Sequence, residues 1–215
     1  GQCMYADFKS QYPTVNALQG LQELLLAERI TIEKDINAVK TWVDNITVEE
    51  LLNKSAWHKL RGICQIIPNE DVLPVRSEYS SSPSANIGVN YLSSKIPTWY
   101  TIADIVASKL ITGKTPHIID VMVLTPHGRV ATIPFSLFGD DNYKIDLNAD
   151  DLFASVIDLR SKVRADAKKE NIDSDGYAFL DGLQMALKLL ANSTSYGVLL
   201  EVVPDERGKP QKGTV

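Results

Sequence analysis

Residues 149 to 170 and 177 to 195 carry the two strongest helix signals in the chain, and only the polar turn Asn171 to Gly176 separates them. A connection that short forces its two helices to run antiparallel and side by side, so the spacing predicts a helical hairpin. On the second run Gln184, Lys188 and Asn192 fall within about 80° of one another, while Phe179, Leu183, Ala186, Leu187 and Leu190 take the other side. On the first run Arg160, Arg164 and Lys168 are spaced by four and form a stripe, with Lys162 and Lys169 adding local positive charge. Asp158 and Asp166 can neutralise that stripe locally, which makes a solvated helix face one reading. Two polar stripes facing each other across a hairpin make the other reading, an anion site.

The rest of the chain mixes short strands with helices. Met4 to Phe8 has the composition of a strand interior, Pro13 breaks it, and Val15, Leu18, Leu21, Leu24 and Leu25 recur at helical spacing up to about Arg29. Complete domains commonly begin with a few frayed polar residues, so this start is the one expected of a piece of a longer protein. From Thr31 to Lys54 the pattern again predicts helices, with Ile32, Ile36, Val39, Trp42 and Val43 on one face, and Thr47 with Glu50 at the spacing of a capping box. Residues 61–67 and 71–75 read as strands around Pro68-Asn69-Glu70, Ser80 to Ser84 as a loop, and Thr98 to Thr112 as a helix closed by Gly113. Ile118 to Leu124 reads as a strand whose partner, Arg129 to Phe135, lies across a Pro126-His127-Gly128 turn. Val198 to Val203 reads as a last strand, and residues 204–215 show no periodicity. The fold class expected is α+β.

Composition decides what kind of site such a chain can carry. With 22 Lys+Arg against 27 Asp+Glu the net charge is −5, which excludes gripping nucleic acid by overall positive charge and requires any phosphate site to be concentrated. Cys3 and Cys64 make no disulfide framework, and His58, His117 and His127 have no zinc-ligand spacing and no recognisable nucleophile elbow beside them. A reducing, cytoplasmic compartment follows, and no apolar run approaches the ~20 residues that span a bilayer, so no membrane partner is expected. Gly113-Lys114-Thr115 resembles the end of a phosphate-binding loop, but Ser108 stands where that loop needs a glycine, and a helix precedes it instead of a strand. Asp7 lies among Met4, Tyr5 and Phe8, where a carboxylate is costly unless it is exposed at a strand end, paired, or bound to a metal.

The two ends of the chain, taken together, resemble the first two polymerisation motifs of family B DNA polymerases. Asp7-Phe8-Lys9-Ser10-Gln11-Tyr12-Pro13-Thr14 resembles the family's motif A, D-F-x-S-L-Y-P-S, and the stretch from Lys188 to Gly197 resembles motif B, K-x-x-x-N-S-x-Y-G. The order is right, and the basic helix with Arg160 and Arg164 comes just before the second motif. The resemblance implies a partial polymerase palm over residues 1–27, a mixed α/β insert over 28–148, a fingers hairpin over 149–197 and a return strand with a flexible tail over 198–215. It implies that Asp7 and the Phe8 carbonyl ligate magnesium, two ions in the complete enzyme, and that Ser10, Gln11 and Tyr12 hold the triphosphate through backbone amides. Tyr12 would lie under the incoming sugar, where a 2′-hydroxyl collides with its ring; a core aromatic joining strand to helix is the other reading of that residue. Arg160, Arg164, Lys188 and Asn192 would close on the phosphates, and Tyr196 and Gly197 would lie beside the nascent base pair. The partners implied are a dNTP, a DNA primer-template and the remaining polymerase domains of the parent chain. The setting is the cytoplasm, at the nucleoid in a prokaryote. A polymerase relative that keeps the groove and has lost catalysis is the rival reading.

Three departures bear on these expectations. Gln11 and Thr14 replace the family's leucine and serine, and both changes are mild, since Thr14 keeps the hydroxyl. Tyr196 falls eight residues after Lys188, where the family's tyrosine falls seven after; on a regular helix one extra residue turns the ring by about 100°, unless a π-bulge absorbs it. Motif C, the Asp-Thr-Asp turn with the second metal-binding aspartate, is not in these residues. A two-metal site needs both aspartates, so the chain alone is expected not to extend a primer.

Overall fold

The computed structural model describes Met4 and residues 10–78 and 85–193. The expected strand over 4–8 with Asp7 and Phe8, the 80–84 loop, Tyr196, Gly197, the strand over 198–203 and the tail lie outside the described residues, Met4 excepted. The chain is mixed, with helices and antiparallel strands interspersed, as the α+β expectation required.

Two helices open the described chain, α1 (Gln11–Leu18) and α2 (Leu21–Leu25), where the periodicity predicted one. Gly20 separates them at φ 61, a left-handed conformation in which an L side chain is strained, and its glycine permits the break. The expected helix beginning at Thr31 is a strand first: β1 (Arg29–Glu33) precedes α3 (Ile36–Asn45) and α4 (Val48–Leu51). Asp35 caps α3, its carboxylate accepting from the Ala38 amide at 2.9 Å. The capping box expected at α4 is half formed: Thr47 accepts from the Glu50 amide, while the Glu50 side chain turns away to accept from Trp42 Nε1 at 3.0 Å.

A 3₁₀ turn, Lys54–Leu60, leads into β2 (Gly62–Ile67), then β3 (Asp71–Glu78) and β4 (Ala85–Leu92), which pair as a two-stranded ribbon. The residues expected to begin a helix at Thr98 form β5 (Thr98–Thr101). The helix α5 (Ile102–Thr112) starts after it on a complete capping box between Thr101 and Asp104. Gly113, at φ 75, closes α5 as the sequence predicts. β6 (His117–His127) then runs straight through the expected turn, and residues 129–134 are not a strand.

These strands order as β1-β6-β2-β5, all neighbours antiparallel, with α3 and α5 on one face. The strand that was expected from 129–135 is replaced as β6's partner by β1 on one side and β2 on the other. Alternation puts Cys64 and Ile66 of β2 into the core, and a bulge in β6 opposite Gln65 and Ile66 lets Ile118 and Val121, three residues apart, both join them against Val43, Ile102, Ile105 and Val106. At the rate of about 25 cal/mol per Å², such fully buried aliphatic side chains are the main stabilising term. Burial also pushes the Cys64 thiol up to about 12, so it is a packed, unreactive group.

Residues 15–135 and 146–151 form one compact unit. The 146–151 segment is fastened by side chains: Gln22 Nε2 donates to the Asp150 carbonyl at 2.8 Å, and Asn148 Nδ2 to that of Thr132 at 3.1 Å. The second unit gathers the start of α1, residues 136–145 and two long helices, α6 (Leu152–Ala167) and α7 (Asp175–Ser193). Between 129 and 151 lie the short paired strands β7 (Phe135–Ser136) and β8 (Lys144–Ile145). Helices α6 and α7 are joined by residues 168–174 and pack along their length, as the hairpin reading predicts. Phe153, Val156, Val163 and Ala167 are buried on α6, and Leu183, Leu187 and Ala191 on α7.

Candidate anion-binding site

The buried seam of the hairpin takes one face of each helix and leaves the polar stripes along its side. There the two helices enclose a cleft of about 260 Å³, lined by Arg160, Arg164, Ala167 and Lys168 of α6 and its end and by Tyr177, Asp181, Gln184 and Met185 of α7. Three cations face one carboxylate, so the cleft carries a net positive charge inside a chain that is acidic overall. Asp181 is already engaged, its Oδ1 accepting from Gln184 Nε2 at 3.0 Å.

Arg160 is the most constrained of the cations. Among the described residues its buried Nε has no hydrogen-bond partner, and burial pushes the pKa of the guanidinium below its ordinary value, with Arg164 pushing the same way. An arginine still keeps its charge under these conditions, so the cost is an unmet demand for an acceptor. A guanidinium holding donors towards an open cleft, with a second guanidinium beside it, suits an anion with several oxygens.

The other site residues expected from the sequence are distributed as follows. Lys188 is exposed on α7 one turn beyond Gln184, and it is not among the residues that line the cleft. Asn192, half-buried, lies one turn further on. Ser10, Gln11 and Tyr12 stand at the N-terminus of α1, with Ser10 at φ 50. Tyr12 is 60% exposed and the buried residue of that helix is Pro13, which overturns the reading of Tyr12 as a core aromatic. Asp7, Phe8, Tyr196 and Gly197 lie outside the described residues. Among the described residues no group of His, Cys, Asp or Glu side chains is placed to hold a metal ion. Asp7 and the Phe8 carbonyl, the magnesium ligands that the resemblance implies, are not among them.

Tyr177 and Asp181 were missed by the sequence reading, although a signal was there. Continuing the Gln184, Lys188, Asn192 stripe towards the N-terminus, a step of three reaches Asp181 and a further step of four reaches Tyr177. Lys114, from the motif resembling a phosphate loop, is occupied elsewhere: its Nζ donates to the Asn69 carbonyl and lies 3.6 Å from Asp71 Oδ1. In comparisons with known proteins the chain matches no family model, no curated protein and no solved structure. No described helix is long and apolar enough to cross a membrane.

Proposed function

We propose that this chain is the palm and fingers part of a family B DNA polymerase, which transfers a nucleotide from a dNTP to a primer 3′-hydroxyl on a DNA template. The observation that carries the reading is the cleft in which Arg160, Arg164, Lys168 and Gln184, from stripes on two different helices, share one space next to the motif B segment. The exposed Tyr12 at the start of α1 supports it as well, since a ring that excludes a 2′-hydroxyl must be open to the substrate. In this reading Arg160 and Arg164 neutralise phosphate oxygens as negative charge builds on them. Lys188 approaches from the exposed side of α7, and the backbone at Ser10 to Tyr12 holds the rest of the triphosphate. Fixed cations of this kind accelerate phosphoryl transfer by positioning and by charge stabilisation. Magnesium, expected at Asp7 and the Phe8 carbonyl, supplies the alignment of the attacking hydroxyl when bound.

The test is Lys188→Ala in the complete parent polymerase. The expected result is a loss of about 10–100-fold in kcat/KM for dNTP with primer-template affinity unmoved, because a cation is removed from the reacting phosphates and from nothing else. Lost DNA affinity with unchanged nucleotide kinetics would instead make the hairpin a nucleic-acid-binding module and overturn the reading.

A further inference from the structure

The strand β1 forms an edge of the four-stranded sheet: β6 pairs with one side of it, and among the described residues no strand pairs with the other. An open edge of unpaired N–H and C=O groups is a template for another strand. This edge is also apolar on one face, for Ile30 is 46% and Ile32 57% exposed, and Leu124, paired with Ile32, extends the patch onto β6. We propose that a second copy of this chain docks antiparallel on β1, with Thr31 on the two-fold axis. The proposal is independent of the polymerase reading.

The occupant is identified by the sequence of the edge itself, Glu28-Arg29-Ile30-Thr31-Ile32-Glu33-Lys34. Run antiparallel against itself about Thr31, it sets Glu28 opposite Lys34, Arg29 opposite Glu33 and Ile30 opposite Ile32. Every charge meets its opposite and both isoleucines meet on one face, as a self-complementary two-fold interface requires. Neighbouring registers fail. A slip of one residue sets Ile30 or Ile32 against Thr31 and brings Glu28 against Glu33 or Arg29 against Lys34, and a slip of two buries an isoleucine against Glu28 or Lys34. The side chains are available for it: Arg29 is exposed and forms no ion pair among the described residues, and Lys34 reaches only a loose pair with Asp120 at 3.9 Å. Glu33 accepts a hydrogen bond from Thr125 Oγ1 at 2.8 Å and keeps a second carboxylate oxygen.

Sedimentation of the purified chain from low to high micromolar concentration tests this. The expected mass doubles with concentration, and the dissociation constant rises about tenfold between low salt and molar salt, where the four charge pairs are screened. R29E alone and E33R alone each set like charges opposite one another and should remain monomeric, with unaltered circular dichroism. R29E/E33R in one chain, and an equimolar mixture of the two single variants, should each recover the dimer. A monomer at every concentration overturns the proposal, as does a dimer indifferent to both single reversals and to salt. So does a mixture of R29E and E33R that fails to associate, since it would show that Arg29 and Glu33 do not meet.

Discussion

Arg61 and Arg160 stand in the two units of the molecule and are treated in opposite ways. The Arg61 side chain is 5% exposed, with Nη2 donating to Glu23 Oε2 at 2.8 Å and Nε donating to the Gln19 carbonyl. Arg160 is also partly buried, yet among the described residues its Nε has no acceptor, and Arg164 acts on it as a like charge. A folded chain that needs a buried cation for its architecture supplies the counter-charge itself, because an unpaired one is costly. Where the chain withholds the acceptor, the group is disposed to take one from outside. The contrast separates an arginine that joins α2 to the sheet from an arginine that faces a ligand, and substitutions in each unit can break it or sharpen it.

The largest effect is expected at Gly20. A Cβ there would run into the Arg61 guanidinium and press on the His58 ring, and the φ of +61 adds left-handed strain. Gly20→Ala should cost about 3 kcal/mol in a urea melt, the combined effect of strain and a displaced ion pair. A loss below about 1 kcal/mol would mean that Arg61 re-seats easily and is no tight clamp.

Arg61→Ala should cost slightly less, about 2–3 kcal/mol. Cutting a fully buried pair is worth more, but Glu23 is 47% exposed and can be rehydrated once its partner is gone. Cys64 gives a local readout of this loss. Its thiol, held up at about 12 by burial, stays protonated and protected at pH 8 while folded, and returns to an ordinary thiol when the sheet opens. In a Cys3→Ser background, where Cys64 is the remaining cysteine, labelling should quicken about 30–150-fold in the Arg61 variant. Unchanged labelling would place Arg61 outside the cooperative core.

What the sequence disclosed about these two units differs for the same physical reason. The hairpin is a local structure: its period, its polar turn and its stripes are all contained within about 45 consecutive residues. The cleft residues Arg160, Arg164, Lys168 and Gln184 were therefore legible. The sheet is assembled from distant segments, and there local pattern misled. Ile32, Ile36, Val39, Trp42 and Val43 fit a helical face, and only the pairing of β1 with β6 decides that Arg29–Glu33 is extended. Pro126 was read as a turn, whereas β6 continues through it because the last β2 pair is Gly62 with Val123, and beyond it a missing N–H forfeits no bond to β2. Arg61 carries no mark in the sequence at all, for its partners at Gln19 and Glu23 are brought to it by the fold.

The same glycine-to-alanine change that damages the first unit should help the second. Gly182 lies within α7, exposed, and a Cβ built on it meets nothing within 4 Å. Gly182→Ala should stabilise the hairpin by about 0.5–1 kcal/mol, since alanine loses less backbone entropy in a helix. A destabilised variant would show that this surface of α7 is covered, against the picture of an open hairpin.

The smallest effect on stability belongs to the residue with the largest expected effect on binding. Replacing Arg160 by methionine keeps much of the side chain's length and apolar packing while removing the buried Nε that lacks a partner. No ion pair among the described residues is broken, and the repulsion from Arg164 disappears, so Arg160→Met should shift stability by no more than about 0.5 kcal/mol in either direction. The same variant removes a charged donor from the cleft, and charged hydrogen bonds of this kind are worth about 1.5–3 kcal/mol. Titration of the purified chain with a fluorescent dNTP and with pyrophosphate should therefore show affinity falling about 10–100-fold while the melting curve stays in place. Arg61→Ala should give the reverse pattern, with the melt displaced and nucleotide affinity of the remaining folded protein kept. If instead Arg160→Met unfolds the hairpin and leaves anion affinity intact, the two arginines are not different in kind, and the cleft between α6 and α7 is structural after all.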